Sequence, residues 1–362
     1  MRIALLGTRG IPANYGGFET FAEELSTRLV LRGHQVTVYC RERPAEARYR
    51  GVRLQYLPTI RHKYLDTVAH TFVSTAHLLA HRTDAALYCN AANAIFTLWP
   101  RLAGVPTALN VDGIERKREK WNALARAWYL TSERLATFFP TAMITDAHAI
   151  QDYYRARYGK KGVLIPYGAE VGPVGEDDLV RKLGLEPGRY FLYVSRMEPE
   201  NRALEVRQAF ETVATPYQLA LIGDAPYARE YIRQVRDTRD PRIIIPGAIY
   251  GAGYHQLESH CFVYIHATEV GGTHPALIEA MGRGALVLYR NTPENAEVAS
   301  GAGIPFEPEE LPEKLRLVLA MPETEREAFR RKAMERVRDC YSWEAVTDAY
   351  EKLLANLVRP GR

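Results

Sequence analysis

Short apolar runs and longer amphipathic runs alternate along almost the whole chain. Between residues 18 and 29, Phe18, Phe21, Ala22, Leu25 and Leu29 repeat at helical spacing, and Gly33 then ends the run. The alternation predicts an α/β fold with parallel sheets. The predicted strands are residues 3–6, 35–40, 53–57, 85–89, 107–111, 142–145 and 163–165, followed by 190–195, 218–222, 242–245, 262–265 and 285–289.

The pattern breaks near residue 168, where a glycine-rich stretch has no period and therefore indicates a linker. A length of 362 residues also favours two domains over one. We therefore expect domains at 1–168 and 169–342, with helices near 324–340 and 343–358 closing the chain. Tandem open sheets of this type leave a cleft, and ligands bind beyond the carboxyl ends of their strands.

Composition narrows the class of protein. A hydrophobic content of 47% and a charged content of 25% are typical of a soluble globular protein. Four widely spaced cysteines with no CxxC pair argue against a disulfide framework or a zinc site and fit a reducing compartment. The first residues read as a strand rather than a signal peptide, and no apolar run approaches the roughly 18 residues of a spanning helix. These features predict a cytoplasmic protein.

The segment 269–280 carries the most chemical information. Gly271, Gly272 and Thr273 follow an apolar run and precede a helix that begins near Pro275. Free N–H groups and the helix dipole make such a helix start a site for anions. Glu279 falls about one turn into the helix, where its carboxylate can accept hydrogen bonds from hydroxyl groups. The pattern predicts a ligand with both a phosphate and a sugar, although Glu279 as a solvated helix residue and Glu269 as a loop residue are the alternatives.

Three further segments follow predicted strands. Gly16 and Gly17 open the first helix and allow a phosphate or sugar to approach the backbone, unless they serve only to reverse the chain. Asp112 can act as a base or bind sugar hydroxyls, or can simply cap the next helix. Arg196 can clamp a diphosphate, or can form a surface salt bridge. There is no D-x-D or clustered metal-binding set nearby, so arginine and helix dipoles would supply the positive charge.

These segments resemble those of GT-B glycosyltransferases of glycosyltransferase family 4, in the same order and over nearly the whole chain. IPYG at 165–168, SRMEPE at 195–200 and IGDAP at 222–226 are similar to motifs of the general family. GTRGIPANYGGFETF at 7–21, VDGIERKR at 111–118 and VGGTHP at 270–275 are similar to a bacterial rhamnosyltransferase-like subgroup. The resemblance implies two Rossmann-like domains facing a central cleft. The first would be the acceptor side and the second would bind the nucleotide sugar, with residues 343–362 crossing back to the first.

The resemblance implies a retaining, metal-independent transfer of a sugar to a saccharide acceptor, which in this subgroup is often lipid-linked. The expected donor is dTDP-L-rhamnose, a co-substrate, and no cofactor is expected. The implied catalytic residues are Asp112 and Arg196. The implied donor-binding residues are Gly16, Gly17, Asn201, Arg202, Tyr250, Glu269, Gly271, Gly272, Thr273 and Glu279. The implied acceptor-side residues are Glu115 and Arg116.

Three departures from the general family leave the donor open. Gly271 stands where that family has the first glutamate of Glu-x7-Glu, so the sugar contact is lost or moves to Glu269. Asn201 stands in place of a lysine, with Arg202 beside it, and Asp112 replaces a frequent histidine. A family 4 enzyme with a UDP- or GDP-sugar donor, a nucleotide-sugar epimerase on the same fold and a sugar-binding protein are the alternatives.

Charge and aromatic residues suggest one more partner. Residues 1–170 are net basic and residues 171–362 net acidic, which reflects either two differently charged domains or a first domain that faces an anionic surface. The basic segments 61–65 and 116–121, followed by Trp128, Tyr129 and Leu130, suit peripheral contact at the inner face of a membrane. Alternatively, Trp128 and Leu130 are core residues and the charges are solvated. No nucleic-acid partner is expected.

Overall fold

The computed structural model describes residues 1–14, 16–60, 62, 65–81, 83–118, 121–225 and 228–358. The chain divides into two compact units. The first contains Met1–Tyr167 and Trp343–Arg362, and the second is Gly168–Ser342. Within the described residues, no helix combines the length and the apolar composition that crossing a bilayer requires.

The first unit is built on an eight-stranded sheet with the order β3-β4-β2-β1-β5-β6-β7-β8, parallel except where β3 pairs with β4. Its strands are β1 (Arg2–Leu6), β2 (Gln35–Cys40), β3 (Arg48–Tyr49), β4 (Val52–Tyr56), β5 (Ala85–Cys89), β6 (Thr107–Asn110), β7 (Ala142–Thr145) and β8 (Val163–Leu164). Its helices include α1 (Gly17–Leu31), α2 (Asp66–Ala80), α3 (Leu98–Leu102), α4 (Ala123–Ala136) and α5 (His148–Tyr158), with 3-10 turns at Ala91–Thr97 and Glu115–Lys117.

The second unit is built on a six-stranded parallel sheet with the order β11-β10-β9-β12-β13-β14. Its strands are β9 (Tyr190–Val194), β10 (Gln218–Ile222), β11 (Ile243–Gly247), β12 (Val263–His266), β13 (Val287–Arg290) and β14 (Ile304–Phe306). Its helices are α6 (Asp178–Lys182), α7 (Ala203–Glu211), α8 (Arg229–Arg236), α9 (Ala252–His260), α10 (Pro275–Gly282), α11 (Pro293–Ala299), α12 (Leu311–Ala320) and α13 (Glu323–Cys340), with 3-10 turns at Pro199–Asn201 and Pro308–Glu310.

The last helix, α14 (Trp343–Val358), belongs to the first unit. Its Tyr350 is fully buried against Phe21 of α1, with ring centroids 5.2 Å apart, and its hydroxyl accepts a hydrogen bond from Asn110 Nδ2 at 2.9 Å. Arg32, at the end of α1, pairs with Glu344, Asp348 and Glu351. These contacts attach α14 to α1 and β6 of the first unit.

Most predicted strands are present, but several boundaries move by one or two residues. The run 242–245 becomes Ile243–Gly247 and the run 285–289 becomes Val287–Arg290, because an apolar run marks burial rather than the point where strand pairing begins. Two strands were missed. One is the antiparallel pair member Arg48–Tyr49, and the other is the short edge strand Ile304–Phe306, which contains a proline.

Among the parallel strands of each sheet, the chain order reverses at one point. In the first sheet it lies between β1 and β5, and in the second between β9 and β12. Ligands of open α/β sheets bind beyond the carboxyl ends of the strands at such points. The loop after β1 contains Gly16, and the loops after β9 and β12 contain Arg196 and residues 267–274. The fold therefore places the sequence motifs of each unit at its ligand-binding edge.

Candidate functional site

The structure joins the loops that follow β9 and β12 in the second unit. The backbone N–H of Glu269 donates to the carbonyl oxygen of Glu200 at 3.2 Å. Arg202 Nη2 donates to Glu269 Oε2 at 2.8 Å. Because β9 and β12 are adjacent and parallel, Arg196 and the segment 269–273 lie at neighbouring strand ends. This edge brings together most of the residues predicted to bind the donor.

Arg196 is held at this edge by its backbone. Its carbonyl oxygen accepts a hydrogen bond from Asn201 Nδ2 at 2.6 Å, and Asn201 is buried. The Arg196 guanidinium is 30% exposed, and its Nη2 lies 3.8 Å from Glu198 Oε2. A charge pair of that length is loose compared with a hydrogen-bonded one. Asn201 thus fixes the turn, while the guanidinium keeps positive charge at the strand end.

Glu269 bridges two arginines. Its Oε2 pairs with Arg202, and its Oε1 accepts from Arg290 Nε at 3.2 Å. Arg202 has a left-handed backbone with φ 63° and also pairs with Glu205 at 3.0 Å. The hydrogen bond to Glu269 raises the pKa of Arg202. A sugar that contacts Glu269 would meet a carboxylate that already has two cationic partners.

The imidazole of His274 occupies the space beside Gly271. A Cβ atom at Gly271 would lie 2.2 Å from His274 Nε2. His274 Nδ1 is 2.6 Å from Asn295 Oδ1, and Asn295 Nδ2 donates to the carbonyl oxygens of Thr268 and Arg290. Since both amide protons of Asn295 are used, its Oδ1 accepts and the proton lies on His274 Nδ1. A glutamate at position 271 would require this ring to move.

Helix α10 begins directly after this loop. Its first residue, Pro275, has no N–H, and the N–H groups of Leu277 and Ile278 donate to the carbonyl oxygen of His274. The N–H groups of the preceding loop and of Ala276 therefore lie at the positive end of the helix dipole. Glu279 lies one turn inside and is partly buried, and Tyr254 donates a hydrogen bond to its Oε2 at 2.9 Å. Burial and the neighbouring Glu258 raise the pKa of Glu279 to about 7. The alternative of a solvated Glu279 is therefore wrong.

Tyr250 lies beyond the end of β11 in the same unit, and its side chain is 48% exposed. It thus offers a ring face at the same edge of the sheet, two strands from β9. Of the predicted donor-binding residues that the structure describes in the second unit, Tyr250 is the most exposed to solvent.

Asp112 follows β6 in the first unit with an unusual backbone, φ 57°. Tyr167, which the sequence did not indicate as a site residue, donates a hydrogen bond to Asp112 Oδ1 at 3.2 Å. Burial and the nearby Glu115 raise the pKa of Asp112 to about 6. The capping alternative is wrong, because the next α-helix begins after Asn122, whose side chain accepts from the N–H of Ala125.

The two predicted acceptor-side residues have different surroundings. Glu115 is buried next to Asp112, and its Oε1 accepts from Arg118 Nε at 2.6 Å. Arg116 instead pairs with Glu133 of α4 at 3.0 Å and donates to the Tyr153 hydroxyl of α5 at 2.8 Å. The structure brings Glu115 together with Asp112, and it places the Arg116 guanidinium against α4 and α5.

Gly16 precedes α1 at the end of the β1 loop. Its φ of −174° is an extended conformation that any residue can adopt, and among the described residues a Cβ atom there would approach only Glu19 Oε2, at 3.6 Å. Neither the backbone nor the packing of the described residues requires glycine at this position, so they do not support the alternative that Gly16 serves only to reverse the chain. Gly17 is the first residue of α1. Buried Glu19, which sequence reasoning missed, accepts from the Arg9 N–H at 2.9 Å and thereby fixes the loop.

Comparisons with known proteins agree with this architecture. Residues 16–168 match the family described as glycosyl transferase 4-like domain, and residues 188–321 match glycosyl transferases group 1. The structure is similar to sucrose-phosphate synthase from Thermosynechococcus elongatus, with 19% identity, a TM-score of 0.78 and coverage of 99% of this chain and 100% of that one. HepE from Anabaena in complex with UDP and glucose gives 17% identity, a TM-score of 0.80 and coverage of 98% and 100%. WaaG, a glycosyltransferase involved in lipopolysaccharide biosynthesis, gives 16%, 0.74, and 100% of both chains.

Residues 16–168 and 188–321 are thus two glycosyltransferase-family domains, and the chain has the fold of the GT-B glycosyltransferases. The predicted fold class is confirmed, because both units are Rossmann-like parallel sheets that match known structures of this class. The donor, the stereochemical course and the roles of individual residues stay predictions.

Proposed function

We propose that the protein transfers L-rhamnose from dTDP-rhamnose to a saccharide acceptor, with retention of configuration and without a metal ion. Donor binding is supported by the edge of the second unit at which the loops after the adjacent strands β9 and β12 are hydrogen-bonded to each other. There a loosely paired arginine, a helix start and a carboxylate one turn into that helix lie on neighbouring elements. These groups suit a nucleoside diphosphate, because arginine and a helix start favour phosphate and a carboxylate accepts hydrogen bonds from ribose hydroxyls.

The donor roles follow from the chemistry of each group. Arg196 and the N–H groups after Gly272 and Thr273 hold the diphosphate and offset the charge that develops on the leaving group. Glu279 accepts hydrogen bonds from the ribose, and the Tyr250 ring stacks on the base. Asn201 and Arg202 support this edge through the contacts described above.

The acceptor-side roles fall on the first unit. Asp112 lies at a strand end with a pKa raised to about 6, so it is ionised at neutral pH and still basic enough to accept a proton or a hydrogen bond. Glu115 is buried beside Asp112, and the charge of Glu115 raises the pKa of Asp112. Gly16 and Gly17 are assigned to donor binding because glycine lets a phosphate or sugar come close to the backbone of the β1 loop.

The choice of rhamnose rests on the similarity of the β1 loop and of VGGTHP to the rhamnosyltransferase-like subgroup. The His274 ring beside Gly271 supports a sugar contact different from that of the general family, since the space for a side chain at position 271 is filled. A UDP-sugar is the second candidate, because HepE was solved with UDP-glucose.

A donor panel tests this proposal. The purified protein is incubated with dTDP-rhamnose, UDP-glucose or GDP-mannose, with and without a saccharide acceptor, and the products are identified by mass spectrometry. We expect acceptor-dependent turnover that is fastest with dTDP-rhamnose. Faster use of UDP-glucose or GDP-mannose would replace the donor and keep the transfer. Conversion of the donor sugar without an acceptor would indicate an epimerase, and binding without turnover a sugar-binding protein.

We further propose that the first unit contacts an anionic membrane that carries a lipid-linked acceptor. The outward face of α4 presents Leu124, which is 81% exposed, and Leu130, flanked by exposed Arg126 and Arg134. Trp99 and Leu102 of α3 are also exposed, and Arg101 Nη1 of the same helix donates to the carbonyl oxygen of Phe138, just past α4. Apolar side chains between arginines suit the headgroup layer.

The structure changes which residues of the first unit support membrane contact. Tyr129 is buried and Trp128 partly buried, whereas Leu130 faces solvent. Arg118 is buried in its pair with Glu115 and cannot reach a headgroup. Residues 61, 63, 64, 119 and 120 lie outside the described part of the chain. The membrane proposal therefore rests on α3 and α4 rather than on the basic strings.

Liposome co-sedimentation tests the membrane proposal. The wild-type protein should bind vesicles that contain anionic phosphatidylglycerol, bind less at high salt, and not bind neutral vesicles. Changing Leu124 and Arg126 together to Glu should abolish binding, while Glu186→Gln in the second unit, which leaves this face intact, should not. Absence of binding to anionic vesicles at low salt would contradict the proposal and favour a soluble acceptor.

A further inference from the structure

Asn295 connects the two ends of the β12 loop, which is residues 268–274. Its side chain is fully buried near the start of α11, where its backbone N–H donates to the Thr292 hydroxyl oxygen at 3.2 Å. Asn295 Nδ2 donates to the carbonyl oxygen of Thr268 at 3.0 Å, and Asn295 Oδ1 lies 2.6 Å from His274 Nδ1. Because Thr268 begins the β12 loop and His274 ends it, one amide group sets the distance between the two ends.

The orientation of the Asn295 amide is fixed by its surroundings. Its Nδ2 also donates to the carbonyl oxygen of Arg290, at the end of β13, at 2.9 Å. Turning the amide over would place its oxygen against two carbonyl oxygens, which are all acceptors. The amide therefore donates twice to the main chain and accepts once from His274. Removing it would leave these buried groups without a partner, which costs more than the hydrogen bonds themselves contribute.

The β12 loop is held at its first part by a different set of contacts. The Glu269 N–H donates to the Glu200 carbonyl oxygen at 3.2 Å, and the Glu269 carboxylate pairs with two arginines. Gly272, after which the N–H groups assigned to the diphosphate begin, lies between Glu269 and His274. The His274 side chain therefore anchors the far end of this segment, and Asn295 holds that side chain.

We propose, resting on the proposed role of the β12 loop in donor binding, that Asn295 is a positioning residue for the diphosphate. It acts through the loop, because it fixes both ends and so holds the N–H groups after Gly272 in one arrangement. A loop that is already ordered loses less conformational entropy when the ligand binds. Glu279 lies further along α10, and Tyr254 holds its carboxylate at 2.9 Å. Loss of the Asn295 amide should therefore weaken the diphosphate contacts and leave the nucleoside contacts in place.

A comparison of dTDP with thymidine tests this role, because both contain the nucleoside and only dTDP carries the diphosphate. Dissociation constants at pH 7.5 are measured by calorimetry for dTDP and by NMR titration for thymidine. In Asn295→Ala, dTDP binding should weaken about tenfold, whereas thymidine binding should change by less than about twofold. Asn291→Ala is the matched control, since Asn291 is an exposed amide that donates to Glu307 Oε1 at 3.0 Å. The control should bind both ligands as the wild type does.

The proton on His274 provides a readout that needs no change at Asn295. In NMR of the wild-type protein with nitrogen-15 labelled histidine, His274 Nδ1 should carry a proton, because the Asn295 amide offers it an oxygen. The signal is assigned by its absence from His274→Phe. If Asn295→Ala does not fold, His274→Phe, which keeps a ring but loses the N–H, should show the same selective loss of dTDP binding.

The outcomes separate the role of Asn295 from the proposed function. An unprotonated His274 Nδ1, wild-type binding of dTDP by the variants, or equal weakening of dTDP and thymidine would overturn the positioning role. Equal weakening would show a general disruption of the unit rather than an effect on the diphosphate. A wild-type protein that binds none of dTDP, UDP and GDP would instead overturn the proposed function.

Discussion

Replacing Arg196 with alanine tests whether positive charge at the end of β9 stabilises the leaving group. The Arg196 guanidinium is 3.8 Å from its carboxylate partner Glu198 and 30% exposed, so its charge is only partly offset. At an effective dielectric constant of about 20, two unit charges about 4 Å apart interact by roughly 4 kcal/mol. Removing one preorganised charge-stabilising donor commonly costs about 2.7–4 kcal/mol, and the pairing of Arg196 with Glu198 and its contact with solvent place it at the lower end, which corresponds to about a hundredfold in rate.

The assay is turnover at saturating donor, with nucleoside diphosphate release coupled to a spectroscopic readout. Arg196→Ala should lower kcat by about a hundredfold, and Arg196→Lys should lower it less, because lysine keeps the charge but loses the two-pronged geometry. Arg189→Ala is the matched control, since Arg189 lies in the same unit, is 53% exposed and forms a 3.5 Å pair with Glu186. Turnover of Arg196→Ala within a few-fold of the control would show that Arg196 does not stabilise the leaving group.

Three other changes should give distinct results. Glu279→Ala should weaken dTDP binding by about 1.5–3 kcal/mol, the range for a hydrogen bond to a charged group, and an unchanged calorimetric dissociation constant would remove Glu279 from the donor site. Asp112→Asn should lower kcat/KM and abolish the fall in rate below about pH 6, and a retained acid limb would assign that limb to another group. Folding raises the pKa of Asp112, so the folded state binds this proton more tightly, and the stability that Asp112 contributes is lost as the pH rises through 6. Asp112→Asn should therefore raise Tm at pH 8 in a thermal melt. An unchanged Tm would indicate that the pKa of Asp112 is normal. Chelation with EDTA should leave turnover unchanged, whereas loss of turnover that Mg²⁺ restores would contradict the metal-independent proposal.

The fold was predictable because its signal is local. Parallel strands buried on both faces read as apolar runs, and β5, with all five residues buried, is such a run. The alternation of these runs with amphipathic helices therefore gave the architecture of both units. The short strands β3 and β14 were missed because two or three residues at a sheet edge leave no periodic pattern.

The site was predictable only where a residue stands next to a strand end or a helix start. Arg196, Gly272 and Glu279 satisfy that condition, and the sheet order then brings their loops together. Glu258 and Tyr254 do not, because only the packing of α9 beside α10 brings them to Glu279. Their i, i+4 spacing marks a shared helix face but not what that face meets.

A similar limit applied to Asp112, Arg116 and Gly271. The pattern Val-Asp-Gly-Ile-Glu suggested a helix cap at Asp112, but the left-handed backbone and the Tyr167 contact depend on residues distant in sequence. The sequence placed Arg116 beside Asp112, whereas the 3-10 turn directs its guanidinium to Glu133. Gly271 reads as a missing glutamate, and only the folded loop shows the His274 ring in that space.

We propose above that the edge after β9 and β12 of the second unit binds a nucleoside diphosphate. A crystal structure of the protein with dTDP tests it most directly. We expect the diphosphate to lie against Arg196 and the N–H groups after Gly272, with a ribose hydroxyl on Glu279. A nucleotide bound elsewhere, or bound at this edge without contact to Arg196 and Glu279, would contradict it.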